Sequence, residues 1–331
     1  MIDSKSNEVG VIGLGLMGCS IAAALLMRGY KVIALAPQES DLKQAPDRIL
    51  HALQESYRQG IHKHEVAALE LNVLYTRNYA DLSNCFLISE CVVENIAIKK
   101  TVYALIESSV SDQAIITTNT SAIPITILQE TMTHPERFLG MHWAEPAFTT
   151  PFLEIICGPK TDTLLAEALY KLASRWGKEP TLVRKDIRGF ITNRLMYAMF
   201  REGFNLVENG YASIEDIDRA CRNDAGHWMT FCGMFRFMDL TGLRAYYNVM
   251  KDLFPTLSNQ TETPPLIEVI AKQGGNGISN GNGFYQYTKE ETAEWEKAFE
   301  EFSYDINLLS RRYPINLVEE RLKNKNLKVS S

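Results

Sequence analysis

The stretch EVGVIGLGLMGCSIAAALLMRGYKVIALA, residues 8–36, constrains the fold more than any other part of the chain. It reads as a strand over 9–12, a glycine turn, a helix over about 17–27 rich in alanine and leucine, a stop at Gly29, and a second strand, KVIALA. Gly13 permits a tight turn, Gly15 lets a pyrophosphate approach the backbone, and Gly18 lets helix and strand pack closely. The helix start, with Leu16 and Met17 between the glycines, offers unpaired amides and the positive end of a dipole to phosphates. A bare GxGxxG is weak evidence. Here the strand before it, the helix after it and the second strand make a dinucleotide-binding βαβ unit.

Strands and helices then alternate to about residue 186. Residues 39–72 read as two helices around RQGIHKHE. His62, Lys63 and His64 in that turn read as polar turn residues, because their spacing suits no single helical face that would hold a metal. CFLISECVVEN reads as a buried strand running to Glu94 and Asn95, with a helix over 96–109 behind it. The strand AIITTNTS, the segment IPITILQETM, the strands RFLGMHW and PFLEIIC, a helix over 163–176 and the strand PTLVRK follow. From DIRGFITNRL onward the periodicity is almost wholly helical, and Ser213 three residues before Asp216 resembles a capping box. The expected architecture is an α/β Rossmann-type doubly wound sheet over 1–187, followed by an all-helical domain over 188–331. The basic end, RLKNKNLKVSS, reads as a solvated tail.

A chain of 331 residues has room for two cores. Its net charge of −6 and pI of about 5.6 argue against a nucleic-acid binder, which usually shows a basic stripe. Six scattered cysteines without a CxxC pair fit a reducing cytoplasm. There is no charged-then-apolar leader and no apolar run of membrane-spanning length, so a cytoplasmic protein is expected.

The segment GMHWAEPAFTTPFLEIICG raises a chemical question. Glu154 lies in an apolar strand, where an unpaired carboxylate costs several kcal/mol, about as much as a lost buried ion pair. His142, twelve positions earlier, is the candidate partner. Such a pair is either structural or catalytic. Oxidising a secondary alcohol needs a base for the hydroxyl proton, and imidazole titrates near neutral pH. A carboxylate on its second nitrogen fixes the tautomer and favours the imidazolium that forms.

Together, VGVIGLGLMG, ISECVVENIAIKK, TTNTSAIPIT, RFLGMHW, PFLEII, RGFITNRL, NGYASIEDID, FMDLTGL and GNGFYQY resemble the 3-hydroxyacyl-CoA dehydrogenase family over residues 8–288. That family includes 3-hydroxybutyryl-CoA dehydrogenases and the L-gulonate 3-dehydrogenase group. The resemblance implies an oxidoreductase acting on a 3-hydroxyacyl thioester or a related 3-hydroxy acid with NAD. It implies His142 as base, Glu154 as its orienting partner, Ser121 at substrate and cofactor, and Asn193 at the active site. It implies cofactor contacts from Glu94 and Lys99, a homodimer built by the helical domain, and a site between domains. Taken alone, Ser121 also suits a turn, Asn193 an N-cap, Glu94 a helix start and Lys99 a solvated surface.

Three positions depart from the family pattern. The second strand ends in Ala36 where an acid normally bonds the ribose, with Ser40 and Lys43 the nearest groups for a 2′-phosphate. Glu145 stands where the family has a cofactor-contacting asparagine, and Ser279 where it has a lysine. The segment before DLTGL is also altered, to CGMFRFM. These changes leave NAD somewhat favoured and NADP possible. The alternatives are an acyl-carrier-protein thioester as substrate and a catalytically silent relative. Retention of Ser121, His142, Glu154 and Asn193 argues against silence.

Overall fold

The computed structural model describes residues 7–329, with side chains over 7–325. The chain divides into two compact units, one up to Asn193 and the other from Arg194.

The first unit holds strands β1 (Glu8–Ile12), β2 (Lys31–Leu35), β3 (Val73–Thr76), β4 (Leu87–Glu90), β5 (Ile115–Thr118), β6 (Phe138–Trp143), β7 (Phe152–Ile156) and β8 (Glu179–Val183). They form one sheet in the order β3-β2-β1-β4-β5-β6-β7-β8. All pairs from β3 to β6 are parallel, β7 turns back antiparallel to β6, and β8 runs parallel to β7. Its helices are α1 (Leu16–Leu26), α2 (Glu39–Arg58), α3 (Val66–Glu70), α4 (Ile96–Glu107), α5 (Ile125–Gln129) and α6 (Thr163–Arg175).

Alternation along the strands feeds two cores on opposite faces. Val9, Val11, Val32 and Ala34 join α1, α2 and α6 through Ile21, Ile49 and Leu169. Ile12, Ile33, Leu35 and Ile88 join α4 and α5 through Val102, Ile106 and Leu128. Helices thus cover both faces, as parallel strands require. The carboxyl ends of β1, β4, β5 and β6 line one edge, where ligands of doubly wound sheets bind.

The second unit contains the rest of α7 (Thr192–Glu208), then α8 (Ile214–Ala220), a π-helical turn (Cys221–Ala225), α9 (Gly226–Phe231), α10 (Met234–Thr241), α11 (Leu243–Leu253) and α12 (Pro265–Lys272). Two further helices, α13 (Lys289–Arg312) and α14 (Leu317–Val329), follow. Ser213 caps α8 by accepting from the Asp216 N–H. No described helix is long and apolar enough to cross a membrane.

Three details differ from the sequence reading. The strand expected over 85–95 stops at Glu90, and Asn95 caps α4 by accepting from the Ile98 N–H at 3.1 Å. The basic tail is the second half of α14: Glu319 and Glu320 complement the dipole at its first turn. Its last two residues lie outside the described ones. His62 lies in the turn between α2 and α3, as read, but it is buried, with Nε2 3.0 Å from the Leu53 carbonyl oxygen.

Candidate active site

The three glycines of the first turn meet three different surroundings. Gly13 has a φ of +92°, and a Cβ there would press on the backbone of Cys91 and Val92. At Gly18 a Cβ would overlap the Gly13 carbonyl. At Gly15 it would meet nothing within 4 Å, so the backbone is open to a ligand. Helix α1 starts from Gly15 with no side-chain cap and no acid in its first turn, which leaves its N-terminal dipole for an anion. Leu16, 65% exposed, and half-buried Met17 lie at this open start. These residues fit a dinucleotide pyrophosphate.

His142 and Glu154 are directly opposed residues of the antiparallel β6–β7 pair. Nδ1 of His142 lies 2.9 Å from Glu154 Oε2. The other carboxylate oxygen accepts from the N–H of Ile191 at 3.0 Å, the N–H of Thr192 at 2.9 Å and the Thr192 hydroxyl at 3.3 Å. Burial pushes the Glu154 carboxyl up, but the hydrogen bonds from His142 and from Thr192 and Ile191 outweigh it and hold it below its ordinary value. The His142 ring lies between Phe152, edge-on at 5.6 Å, and Phe190 at 5.7 Å. Phe190 has a φ of +50°, a strained backbone for a bulky residue, beside this ring. Among the described residues Nε2 of His142 makes no protein hydrogen bond, and 10% of the side chain is exposed.

Ser121 sits in the turn after β5, its hydroxyl without a protein partner among the described residues. Its N–H and that of Ala122 donate to Glu94 Oε1 at 3.1 and 3.2 Å, and the Thr120 hydroxyl donates to the same oxygen. Desolvation opposes these bonds and the nearby Lys99, yet the Glu94 carboxyl is net lowered. Asn193, second residue of α7 rather than its cap, donates from Nδ2 to the Ser121 carbonyl at 3.0 Å. Glu154 holds the residues just before Asn193, so hydrogen bonds bring His142, Glu154, Asn193, Ser121 and Glu94 into one circuit.

Lys99 is buried, with 1% of its side chain exposed, rather than solvated. Its Nζ lies 2.8 and 3.0 Å from the Glu90 carboxylate and 3.5 Å from Glu94. Glu90 is fully buried and also accepts from the Tyr103 and Thr118 hydroxyls at 2.7 Å and from the Val92 N–H at 2.7 Å. The sequence reading missed Glu90, although it carries the same signal as Glu154: one carboxylate in an apolar strand. It also missed Asn119, whose Oδ1 accepts from the Trp143 N–H at 2.8 Å and ties β5 to the residue after His142.

Of the departing residues, Ala36 is fully buried at the end of β2. Glu145 follows β6, and desolvation against the surrounding chain pushes its carboxyl up to about 7 despite a hydrogen bond from Ser20. Lys178 donates to the carbonyls of Ala147 and Thr150 and so holds the β6–β7 loop on which Glu145 lies. Ser279 is engaged in its own turn, donating to the Asn276 carbonyl at 2.9 Å.

Residues 8–187 match the family model of the 3-hydroxyacyl-CoA dehydrogenase NAD-binding domain, and residues 189–287 match that of the C-terminal domain. The chain is 33% identical over 287 residues to the 5-formyl-3-hydroxy-2-methylpyridine 4-carboxylate 5-dehydrogenase of Mesorhizobium japonicum, covering 86% of this chain and 92% of that one. It is 30% identical over 284 residues to the 3-hydroxybutyryl-CoA dehydrogenase of Mycobacterium tuberculosis, covering 85% and 98%. A solved structure of a 5-formyl-3-hydroxy-2-methylpyridine 4-carboxylic acid 5-dehydrogenase, described as an NAD+-dependent dismutase, superposes with a TM-score of 0.85 at 32% identity, covering 93% and 98%. That of the (S)-3-hydroxybutyryl-CoA dehydrogenase from Ralstonia eutropha superposes with a TM-score of 0.72 at 27% identity, covering 86% and 100%. With both halves matched in order, the chain belongs to the 3-hydroxyacyl-CoA dehydrogenase family and is an NAD-dependent oxidoreductase.

Proposed function

We propose that the chain oxidises an H–C–O–H unit of a 3-hydroxyacyl thioester or a related 3-hydroxy acid, with His142 as general base. The hydrogen bond between His142 Nδ1 and Glu154 carries this reading, because it leaves Nε2 to take the hydroxyl proton. When bound, NAD accepts the hydride. Glu154 is a positioning residue: it fixes the tautomer and favours the imidazolium. The free hydroxyl of Ser121 and the amide of Asn193 hold the substrate oxygen as it becomes a carbonyl. Gly13, Gly15, Leu16, Met17 and Gly18 cradle the pyrophosphate. Glu94 and Glu145 face the cofactor, and Lys99 supports it through Glu94.

The similarity at TM-score 0.85 to an enzyme named for a formylpyridine carboxylate supports a second reading. A hydrated aldehyde presents the same H–C–O–H unit, so the same base serves a small aromatic aldehyde acid. The test is NADH formation from NAD with 3-hydroxyacyl thioesters, free 3-hydroxy acids and aromatic aldehyde carboxylates. Turnover of thioesters supports the first reading and turnover of aldehydes alone supports the second. No turnover of any class refutes both.

We further propose a homodimer through the helical unit. Helices α7 to α12 bury no residue within the chain, and Phe235, Leu240, Leu243 and Tyr247 are 57–75% exposed. An apolar surface of this kind marks an interface. Light scattering is expected to give twice the chain mass at micromolar concentration, and a monomer contradicts it.

A further inference from the structure

The end of β2 is where a doubly wound nucleotide fold ordinarily sets a carboxylate against the adenosine ribose. Here Ala36 is fully buried, and its N–H donates to the Thr76 carbonyl at 2.9 Å. Pro37 follows. The same hydrogen bond brings the end of β3 alongside, so Arg77, next after Thr76, stands at this edge. A cavity of about 430 Å³ opens there, lined by Pro37, Arg77 and Tyr79 and, from α4, by Ile98, Thr101 and Leu105. Its apolar walls and position at the carboxyl edge suit the heteroaromatic base of a dinucleotide.

Glu39, the first residue of α2, lies at the same edge. Its Oε2 is 3.9 Å from Arg77 Nη1 and its Oε1 is 3.4 Å from Lys43 Nζ. These side chains are 53–74% exposed, and exposed ion pairs contribute little to stability. An acid at a helix start and its i,i+4 lysine serve α2 itself, but that local pairing gives no reason for Arg77, on the chain just after β3, to face the same acid four residues after the end of β2.

We propose that Glu39 supplies the carboxylate missing at Ala36 and sets the choice of cofactor. It accepts hydrogen bonds from the adenosine ribose hydroxyls. It also occupies Arg77 and Lys43, which would otherwise form a site for a 2′-phosphate, since paired cations are what such a phosphate needs. The inference rests on the NAD-binding half of the chain and not on the identity of the substrate.

The experiment is a fluorescence titration of NADH and NADPH, without substrate, against the parent, Glu39→Gln and the double variant Glu39→Gln/Arg77→Leu. The parent is expected to prefer NADH. Glu39→Gln should weaken NADH about tenfold, as a charged acceptor becomes a neutral one, and should tighten NADPH. Adding Arg77→Leu should remove the NADPH gain while NADH stays weak. Both substituted sites are exposed, and a circular-dichroism melt checks that the variants keep the parent fold. A parent that binds NADPH more tightly than NADH overturns the proposal. So does a Glu39→Gln variant whose NADH-to-NADPH ratio stays within twofold of the parent.

Discussion

Replacing Glu154 by glutamine keeps the shape of the side chain and removes its charge. In the parent one oxygen accepts three hydrogen bonds from Ile191 and Thr192, and the other faces Nδ1 of His142 at 2.9 Å. An amide has one acceptor oxygen. The three donors claim it, which turns the NH₂ group toward His142. Nδ1 must then carry the lone pair, and the proton moves to Nε2, the nitrogen that accepts the substrate proton in our account. Restoring the productive tautomer sets two donors face to face and loses a charged hydrogen bond, about 1.5–3 kcal/mol. At about 1.4 kcal/mol per factor of ten, kcat should fall roughly ten- to a hundredfold, with the NADH dissociation constant unchanged. Stability carries a second signature. The folded Glu154 carboxyl titrates below its ordinary value, so its contribution is present above that value and is lost as pH falls through the folded one. Melting temperature against pH should therefore decline less steeply on the acid side in Glu154→Gln than in the parent. The assay pairs NADH-absorbance kinetics with these melts. A folded Glu154→Gln enzyme with kcat within twofold of the parent refutes the tautomer argument.

At the glycine turn, Gly15→Val places its side chain in open space and should weaken NADH binding at least tenfold with little change in melting temperature. Gly18→Ala forces a Cβ onto the Gly13 carbonyl and should lower the melting temperature; equal melts for both variants would contradict this difference. Lys99→Met leaves Glu90 buried and charged with only neutral donors, which should cost about 3–5 kcal/mol in denaturant unfolding. Glu90→Gln/Lys99→Met should recover most of that loss, and no recovery would show that the pair is not the origin.

The first βαβ unit was legible because turn chemistry and both flanking periodicities agree within 29 residues. The His142–Glu154 pair was legible because a carboxylate in an apolar strand demands a partner, and two successive strands are readily neighbours. Glu90 poses the same demand, but its partners Lys99, Tyr103 and Thr118 lie on a helix and the next strand, and only the parallel register places them. Strand β3 was hidden because its residues are half-buried or exposed, so no apolar run marks it. With it went Arg77, whose position beside Pro37 follows from the β2–β3 pairing rather than from spacing. The helical periodicity after residue 190 was clear. The π turn at Cys221–Ala225 was not, because one wider turn leaves no mark in an apolar pattern.

The central claim is that His142 removes the hydroxyl proton while the NAD-binding half works independently of it. His142→Gln tests it most directly, measured as kcat with a turned-over substrate and as NADH affinity by fluorescence on the same sample. The account predicts a fall in kcat of about 10²–10⁴-fold with NADH affinity within twofold of the parent. An unchanged kcat, with the variant folded and binding NADH, would remove His142 from the chemistry and leave its bond to Glu154 a structural one.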